Sequence, residues 1–229
     1  MSRFEEAKRA AAFSAVGEVG NNFIIGLGSG STVALAAEAL AQRIRFEGLL
    51  VQVVPASTQT ELLCVEYGIP LTTLTVTPML SLTIDGADQV DPRTLNVIKG
   101  GGAAHMREKV LASASQRVVL VVDESKLSEG PLNKPVPVEV VPFAYKPVET
   151  RLKDLGGNPI LRYAIHKNGP VITDNGNYVI DVDFGEIEDP VGLERRVKAI
   201  PGVVEVGLFI ELVDRVYVGL KEGGVKILE

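Results

Sequence analysis

The stretch "FIIGLGSGST" (residues 23–32) decides how the chain is read. Phe23, Ile24 and Ile25 form a short apolar run, as a strand buried on both faces would. Gly26, Gly28 and Gly30 then alternate with small residues, and Val33, Ala34, Leu35, Ala36 and Ala37 continue as a helix. A strand, a glycine turn and a helix start make a natural anion site, because the first N–H groups of a helix lack partners within it. A plainer reading stays open: a tight turn in which Ser31 or Thr32 caps the helix.

The same pattern repeats downstream. Further strands are expected at Leu49–Val54, Leu82–Ile84 and Val118–Val122. Helices are expected near Glu5–Val19, Thr32–Phe46, Gln59–Tyr67 and Ala103–Ser115. Alternating strands and helices predict an α/β fold with a Rossmann-like, mostly parallel sheet covered on both faces. The texture changes after Gly130, where "GPLNKPVPVEVVPFAYKP" carries five prolines. "VITDNGNYVIDVDF" reads as a hairpin turning at Asn175-Gly176, and "DPVGLERRVKAIPG" as a helix with an acidic start and a Pro-Gly stop. Residues 131–206 are therefore expected to form an inserted small α+β, ferredoxin-like domain. Residues 1–130 and 207–229 would form the catalytic domain, with the strands of "GLFIELVDRVYVGLKEGGVKILE" returning to the first sheet.

Composition narrows the partners. A net charge of −6, with no Lys/Arg run, argues against a nucleic-acid partner. No apolar run approaches 18 residues, so no membrane partner is expected. "MSRFEEAKRAAAFSAVGEV" reads as an amphipathic helix and not a signal peptide, which makes the cytoplasm the expected location. A lone Cys64 excludes an internal disulfide and reads as a small core residue. His105 and His166 have no metal-ligand spacing, so no metal is expected.

The glycine loop lacks the lysine of a P-loop. The second strand ends "VVPAST", without the acid that a dinucleotide site places there. A small phosphate ester fits better. "LTIDGADQVD" puts Asp85 and Asp88 just after a strand, with Gly86 and Ala87 keeping the turn tight. "VIKGGGAAHMREK" follows, with Lys99 before Gly100, Gly101 and Gly102, and Glu108 in the second turn of the next helix. Each acid has an ordinary reading, as a turn residue or as a solvated helix acid beside Arg107 or Lys109. In an open parallel sheet, ligands bind beyond the carboxyl ends of the strands. All these groups are expected on that rim. Carboxylates and one lysine suit proton transfer beside a carbonyl, with the lysine and N–H groups stabilising an enediolate. That chemistry describes an aldose–ketose isomerase acting on a sugar phosphate.

At these residues the chain resembles the type A ribose-5-phosphate isomerases. The resemblance rests on "GLGSGST" (26–32), "DGAD" (85–88), "IKGGGAA" (98–104), "REK" (107–109), "PVEVVP" (137–142), "VITDNGN" (171–177) and "IPGVVEVGLF" (200–209). It implies interconversion of D-ribose 5-phosphate and D-ribulose 5-phosphate in the non-oxidative pentose phosphate pathway, without metal or organic cofactor, by a homodimer or homotetramer. It implies that Glu108 is the base moving a proton between C1 and C2, and that Asp85 assists ring opening. Asp88, Lys99 and the N–H groups of Gly100 to Gly102 would hold the reacting oxygens. Ser29, Gly30, Ser31 and Thr32 would hold substrate, Ser31 and Thr32 at the phosphate, with Lys8 and Lys126 closing on it. Gln89 stands where that family commonly has Glu, and His105-Met106 where it commonly has an apolar pair. Ser29 replaces a common Thr. His105 is expected on the rim or in an interface, and His166 on the surface. Other classes remain for assays to separate: a sugar-phosphate-binding regulator, a nicotinamide-dependent dehydrogenase, and a sugar-phosphate deaminase or lactonase.

Overall fold

A computed structural model of the chain describes residues 3–229. In chain order the elements begin α1 (Arg3–Val16), β1 (Phe23–Leu27), α2 (Ser31–Glu47), β2 (Val51–Pro55), α3 (Thr58–Tyr67), β3 (Leu82–Asp85), β4 (Gln89–Val90), β5 (Val97–Ile98), α4 (His105–Ser113) and β6 (Val118–Asp123). They continue β7 (Val136–Val140), α5 (Tyr145–Asp154), β8 (Asn158–Leu161), β9 (Tyr178–Asp183), α6 (Pro190–Lys198), β10 (Val203–Val206), β11 (Leu208–Phe209), β12 (Arg215–Gly219) and β13 (Val225–Leu228). Two units are distinguished. The first comprises the chain up to Ala87, Arg107–Leu127 and Leu212–Glu229. The second comprises Asp88–Met106 and Ser128–Glu211.

The first unit holds a six-stranded sheet of order β13-β12-β6-β3-β1-β2. Five strands run parallel, and β13 pairs antiparallel with β12. The expected Rossmann-like sheet is present. Side chains alternate across it, as the two-residue strand period demands. Ile25, Leu27 and Val53 pack with Ala12, Ala36 and Cys64 of α1–α3. Ile24 and Val54 pack with Leu80 and Leu111, the latter on α4. Helices thus cover both faces.

Cys64 is fully buried, as expected. Burial, with the negative charge of Glu61 adding to it, pushes its thiol up to about 11. A thiol with that value is only about 0.1% thiolate at pH 8. An aromatic disulfide reagent should therefore label Cys64 only as fast as the protein unfolds, and rapid labelling of the native chain would contradict its burial.

The second unit contains a βαββαβ run, β7-α5-β8-β9-α6-β10. Its antiparallel sheet has the order β10-β7-β9-β8, the ferredoxin-like arrangement. Val148 and Leu152 of α5 and Leu193 and Val197 of α6 pack with Val136, Val138, Ile180 and Val182 of that sheet. Asp189 caps α6 by accepting from the Gly192 N–H, and Pro190 opens it.

Two expectations change. The Asn175-Gly176 turn is real, with Gly176 at φ 79°, but its first arm is no strand. Only Ile172 bridges Tyr178. The turn's polar groups are drawn elsewhere: Thr173 Oγ1, Asn175 Nδ2 and Asn177 Nδ2 all donate to Glu139 Oε1, at 3.0, 3.0 and 2.8 Å. Glu139 is fully buried, so these bonds stand in for lost water. The second change concerns Leu208–Phe209. They pair with β5 in a separate three-stranded sheet of order β11-β5-β4, not with the first sheet.

Candidate active site

The first unit presents one rim where its parallel strands end. There the three glycines of the opening motif have distinct physical reasons. A methyl on Gly26 would lie 2.2 Å from Thr83 Oγ1, and one on Gly28 only 1.8 Å from Asp85 Oδ1. Both positions must be bare for β1 to lie against the polar side chains of β3. Gly30 has open space around it but sits at φ 98°, a conformation other residues avoid.

Gly30 is also the residue that precedes α2, and no side chain caps the helix there. Ser31 and Thr32 are the first two helical residues, so the plainer reading of either as a cap is set aside. Helix N–H groups left without a side-chain cap, with the dipole behind them, attract an anion.

The loop is braced from β2 and α3. Ser29 Oγ is 2.9 Å from Ser57 Oγ, Gly30 N donates to Gln59 Oε1 at 3.2 Å, and Thr60 Oγ1 donates to the Gly28 carbonyl at 2.6 Å. Ser57, Gln59 and Thr60 were not singled out in the sequence. The only hint is their place after "VVPA", at the carboxyl end of the next strand.

Asp85 ends β3 and is 2% exposed. Its Oδ1 accepts from Gly86 N at 2.7 Å and, more weakly, from Ser29 N at 3.4 Å. The structure therefore brings the loop and Asp85 together. Glu108 is 4% exposed, which overturns its reading as a solvated helix acid. Because α4 starts at His105, Glu108 stands in its first turn and not its second.

Its level follows from the contacts below it. Thr83 Oγ1 donates to the Leu111 carbonyl at 3.4 Å and lies 2.6 Å from Ser115 Oγ. From Leu111, one helical turn of about 5 Å leads to Glu108. From Thr83, two strand residues, about 7 Å, lead to Asp85. Both carboxylates thus stand at the carboxyl rim. Farther along it, Asp123 ends β6, caps the turn Glu124–Lys126 through Ser125 N, and lies 3.7 Å from Lys8 Nζ. Lys8 and Lys126 are half-buried. Lys8 meets its partner from α1, and Lys126 stands three residues past Asp123.

The second unit carries the other predicted groups. Asp88 N donates to the Ile98 carbonyl at 2.8 Å, and Asp88 Oδ2 accepts from Gly101 N at 2.7 Å. A methyl on Gly101 would lie 2.7 Å from Asp88 Oδ1, so this approach too requires glycine. Lys99 is 3% exposed, with Nζ 5.5 Å from the Phe209 ring centre. Its N–H donates to the Gly207 carbonyl at 2.8 Å. The glycine turn closes through Ala103 N donating to the Gly100 carbonyl, with Ala103 at φ 59°. A non-glycine residue there is a local strain of the kind that collects at functional turns. Gly101 and Gly102 are exposed.

His105 is fully buried, not on a rim, and packs against Gly100, where a methyl would meet its Nδ1 at 2.7 Å. His166 is exposed, as expected. Gln89 has a structural use. Its Oε1 accepts from Asn133 N and Lys134 N at 2.9 and 3.0 Å, and its Nε2 donates to Asn133 Oδ1 at 2.9 Å. A neutral amide serves all three bonds without burying a charge. Lys134 Nζ in turn donates to the Asp88 carbonyl at 2.8 Å. Among the described residues, no group of three or more His, Cys, Asp or Glu could hold a metal ion, and no helix is long and apolar enough to cross a membrane.

A parallel α/β sheet whose rim carries a glycine loop at an uncapped helix start, with the carboxylates of Asp85 and Glu108 buried beside it, has the arrangement of an α/β enzyme of acid–base chemistry. Comparison with known proteins makes the class particular. The family model for ribose 5-phosphate isomerase A (phosphoriboisomerase A) matches residues 52–223. The ribose-5-phosphate isomerase A of Methanosarcina acetivorans is 52% identical over 221 residues, 96% of this chain and 93% of that protein. The solved ribose 5-phosphate isomerase A from Methanocaldococcus jannaschii superposes with a TM-score of 0.94 at 45% identity, covering 98% of this chain and 99% of the other. A D-ribose-5-phosphate isomerase solved with phospho-erythronic acid gives 0.95 at 40% identity, over 99% of each chain. The chain belongs to the ribose 5-phosphate isomerase A family.

Proposed function

We infer that this chain is an aldose–ketose isomerase that interconverts D-ribose 5-phosphate and D-ribulose 5-phosphate. Family membership supports the reaction. The observation that carries the mechanism is the burial of Glu108 in the first turn of α4, level with Asp85. A carboxylate shielded from bulk water yet placed at the rim can reach a substrate C–H.

Glu108 takes the proton from C2 of the open-chain aldose. The electrons pass through an enediolate while the hydroxyl proton on O2 passes to O1, and Glu108 returns to C1 the proton it took or one exchanged with water while it was held, leaving a carbonyl at C2. Asp85 exchanges a proton with the ring oxygen and anomeric hydroxyl, opening the furanose first. Lys99 and the Gly102 N–H carry the oxygen on which negative charge grows, while the Gly101 N–H holds Asp88. Asp88 accepts from a sugar hydroxyl and sets its orientation. Ser29 to Thr32 bind the far end, with Ser31 and Thr32 at the phosphate and Lys8 and Lys126 adding charge. Phospho-erythronic acid, held by the relative, suits this reading: its carboxylate is a planar anion like an enediolate, and its phosphate is a remote handle. The reading extends to a cytoplasmic homodimer or homotetramer.

The direct test is ribulose 5-phosphate formation from ribose 5-phosphate by the purified chain, and no turnover would reject the reading. The double variant Ser31→Ala, Thr32→Ala should raise KM about tenfold or more, as lost bonds to a charged group do. kcat should change by less than about threefold. A loss confined to kcat would remove these hydroxyls from the phosphate.

A further inference from the structure

Arg162 follows β8 in a stretch without any motif, and its side chain is 17% exposed. Its fork is divided between two tasks. Nε donates to Asp181 Oδ2 at 2.8 Å, and Nη2 pairs with Asp181 Oδ1. Asp181 lies on β9, so this half could simply staple two neighbouring strands. The other half does something a staple does not need. Nη1 donates to two consecutive backbone carbonyls, Gly100 at 2.9 Å and Gly101 at 3.0 Å. These are the carbonyls of the peptides whose N–H groups belong to Gly101 and Gly102.

A trans peptide points its C=O and N–H in opposite directions. Holding both carbonyls on the guanidinium therefore turns both N–H groups to the other side. The Gly101 N–H accordingly meets Asp88 Oδ2 at 2.7 Å. The glycines make such setting necessary, since their backbone has the widest choice of conformations. The charge behind the carbonyls also polarises both peptides and strengthens their N–H groups as donors. Asp181 fixes the fork bidentately, so that Nη1 alone is left for the loop. A lysine, with a single point of charge, cannot meet Asp181 twice and both carbonyls at once.

The geometry points to Arg162, oriented by Asp181, as a positioning residue that sets the Gly101 N–H on Asp88 and presets the Gly102 N–H for the enediolate oxygen. This rests on the isomerase reading above. It predicts a loss specific to the reacting end of the substrate and not to the phosphate end.

The test uses the full chain with Arg162→Leu, Arg162→Lys and Asp181→Asn. Arg162→Leu should lower kcat about 10- to 100-fold, somewhat less than removing an oxyanion donor outright. KM should stay within about threefold. Inhibition by phospho-erythronic acid should weaken by a factor similar to that in kcat, while inhibition by inorganic phosphate holds. Arg162→Lys should recover only part of the loss. Asp181→Asn, which leaves the fork one acceptor in place of two, should show the same split at about three- to tenfold. A kcat within about twofold of the parent in Arg162→Leu would overturn the proposal. So would equal weakening of both inhibitors with a lower melting temperature, which marks a purely structural staple. If Arg162→Leu does not fold, Asp181→Asn decides by the same criteria. If the parent chain itself fails to isomerise ribose 5-phosphate, the isomerase reading falls separately. The Gly101 and Gly102 amide resonances then judge the clamp: they shift in Arg162→Leu if it sets the loop and stay in place if it does not.

Discussion

Replacing Glu108 by Gln is expected to lower kcat for ribose 5-phosphate about 10³-fold, the midrange of what a positioned general base contributes. KM should move by less than about threefold, because the amide keeps the carboxylate's shape and the phosphate end is untouched. Glu108 is buried in the first turn of α4, so the swap removes the proposed base without opening a cavity. Exchange of the C2 hydrogen with heavy water separates chemistry from binding. It should vanish together with turnover. A variant that still exchanges that hydrogen at the parent's rate would remove Glu108 from the reaction.

The second large effect is expected from one methyl group. In Gly28→Ala the new carbon would lie 1.8 Å from Asp85 Oδ1 and 1.9 Å from its Cγ. No rotation of a flexible tip relieves that, since the carboxylate is buried and held by Gly86 N. Asp85 must leave its place, or β1 must move from β3. Overpacking of this kind costs about 1–3 kcal/mol of stability. kcat/KM should fall about 100-fold, because the group proposed to open the ring is displaced. Gly30→Ala is the comparison for stability alone, since Gly30 lies in the loop proposed to bind substrate. Its methyl meets open space, so only the φ of 98° is penalised, at about 1 kcal/mol. A kcat/KM in Gly28→Ala within about twofold of the parent would show that Asp85's position is immaterial to the reaction.

The local grammar of this chain is strong. Phe23–Ile25 and Val118–Val122 announce buried strands because a parallel sheet covered on both faces needs continuous apolar runs. Asp189 and Pro190 mark the start of α6 because a carboxylate meets the unpaired N–H groups there and proline has none to leave unpaired. The proximity of Asp85 to the glycine loop is also legible, since both follow strands of one parallel sheet. Residues 173–177 show the limit. Asn-Gly specifies a turn, but whether two strands flank it depends on Glu139, 34 residues away from Thr173.

Amino-acid order by itself determined the strands, the turns and the menu of reactive groups, because each depends on neighbours within one helical turn or one strand. Tertiary structure alone decided what surrounds those groups. Glu108 reads as an exposed helix acid until β3 and α4 are packed. Gly26 and Gly28 read as flexible until Thr83 and Asp85 are seen where their side chains would be. His105 is carried into the interior, and Gln89 becomes a buried amide bracket for Asn133 and Lys134. Arg162 has no motif at all, because its meaning lies in carbonyls 62 and 61 residues earlier. Burial and polarity at such points depend on which distant segments exclude water, and that is a property of the packed chain.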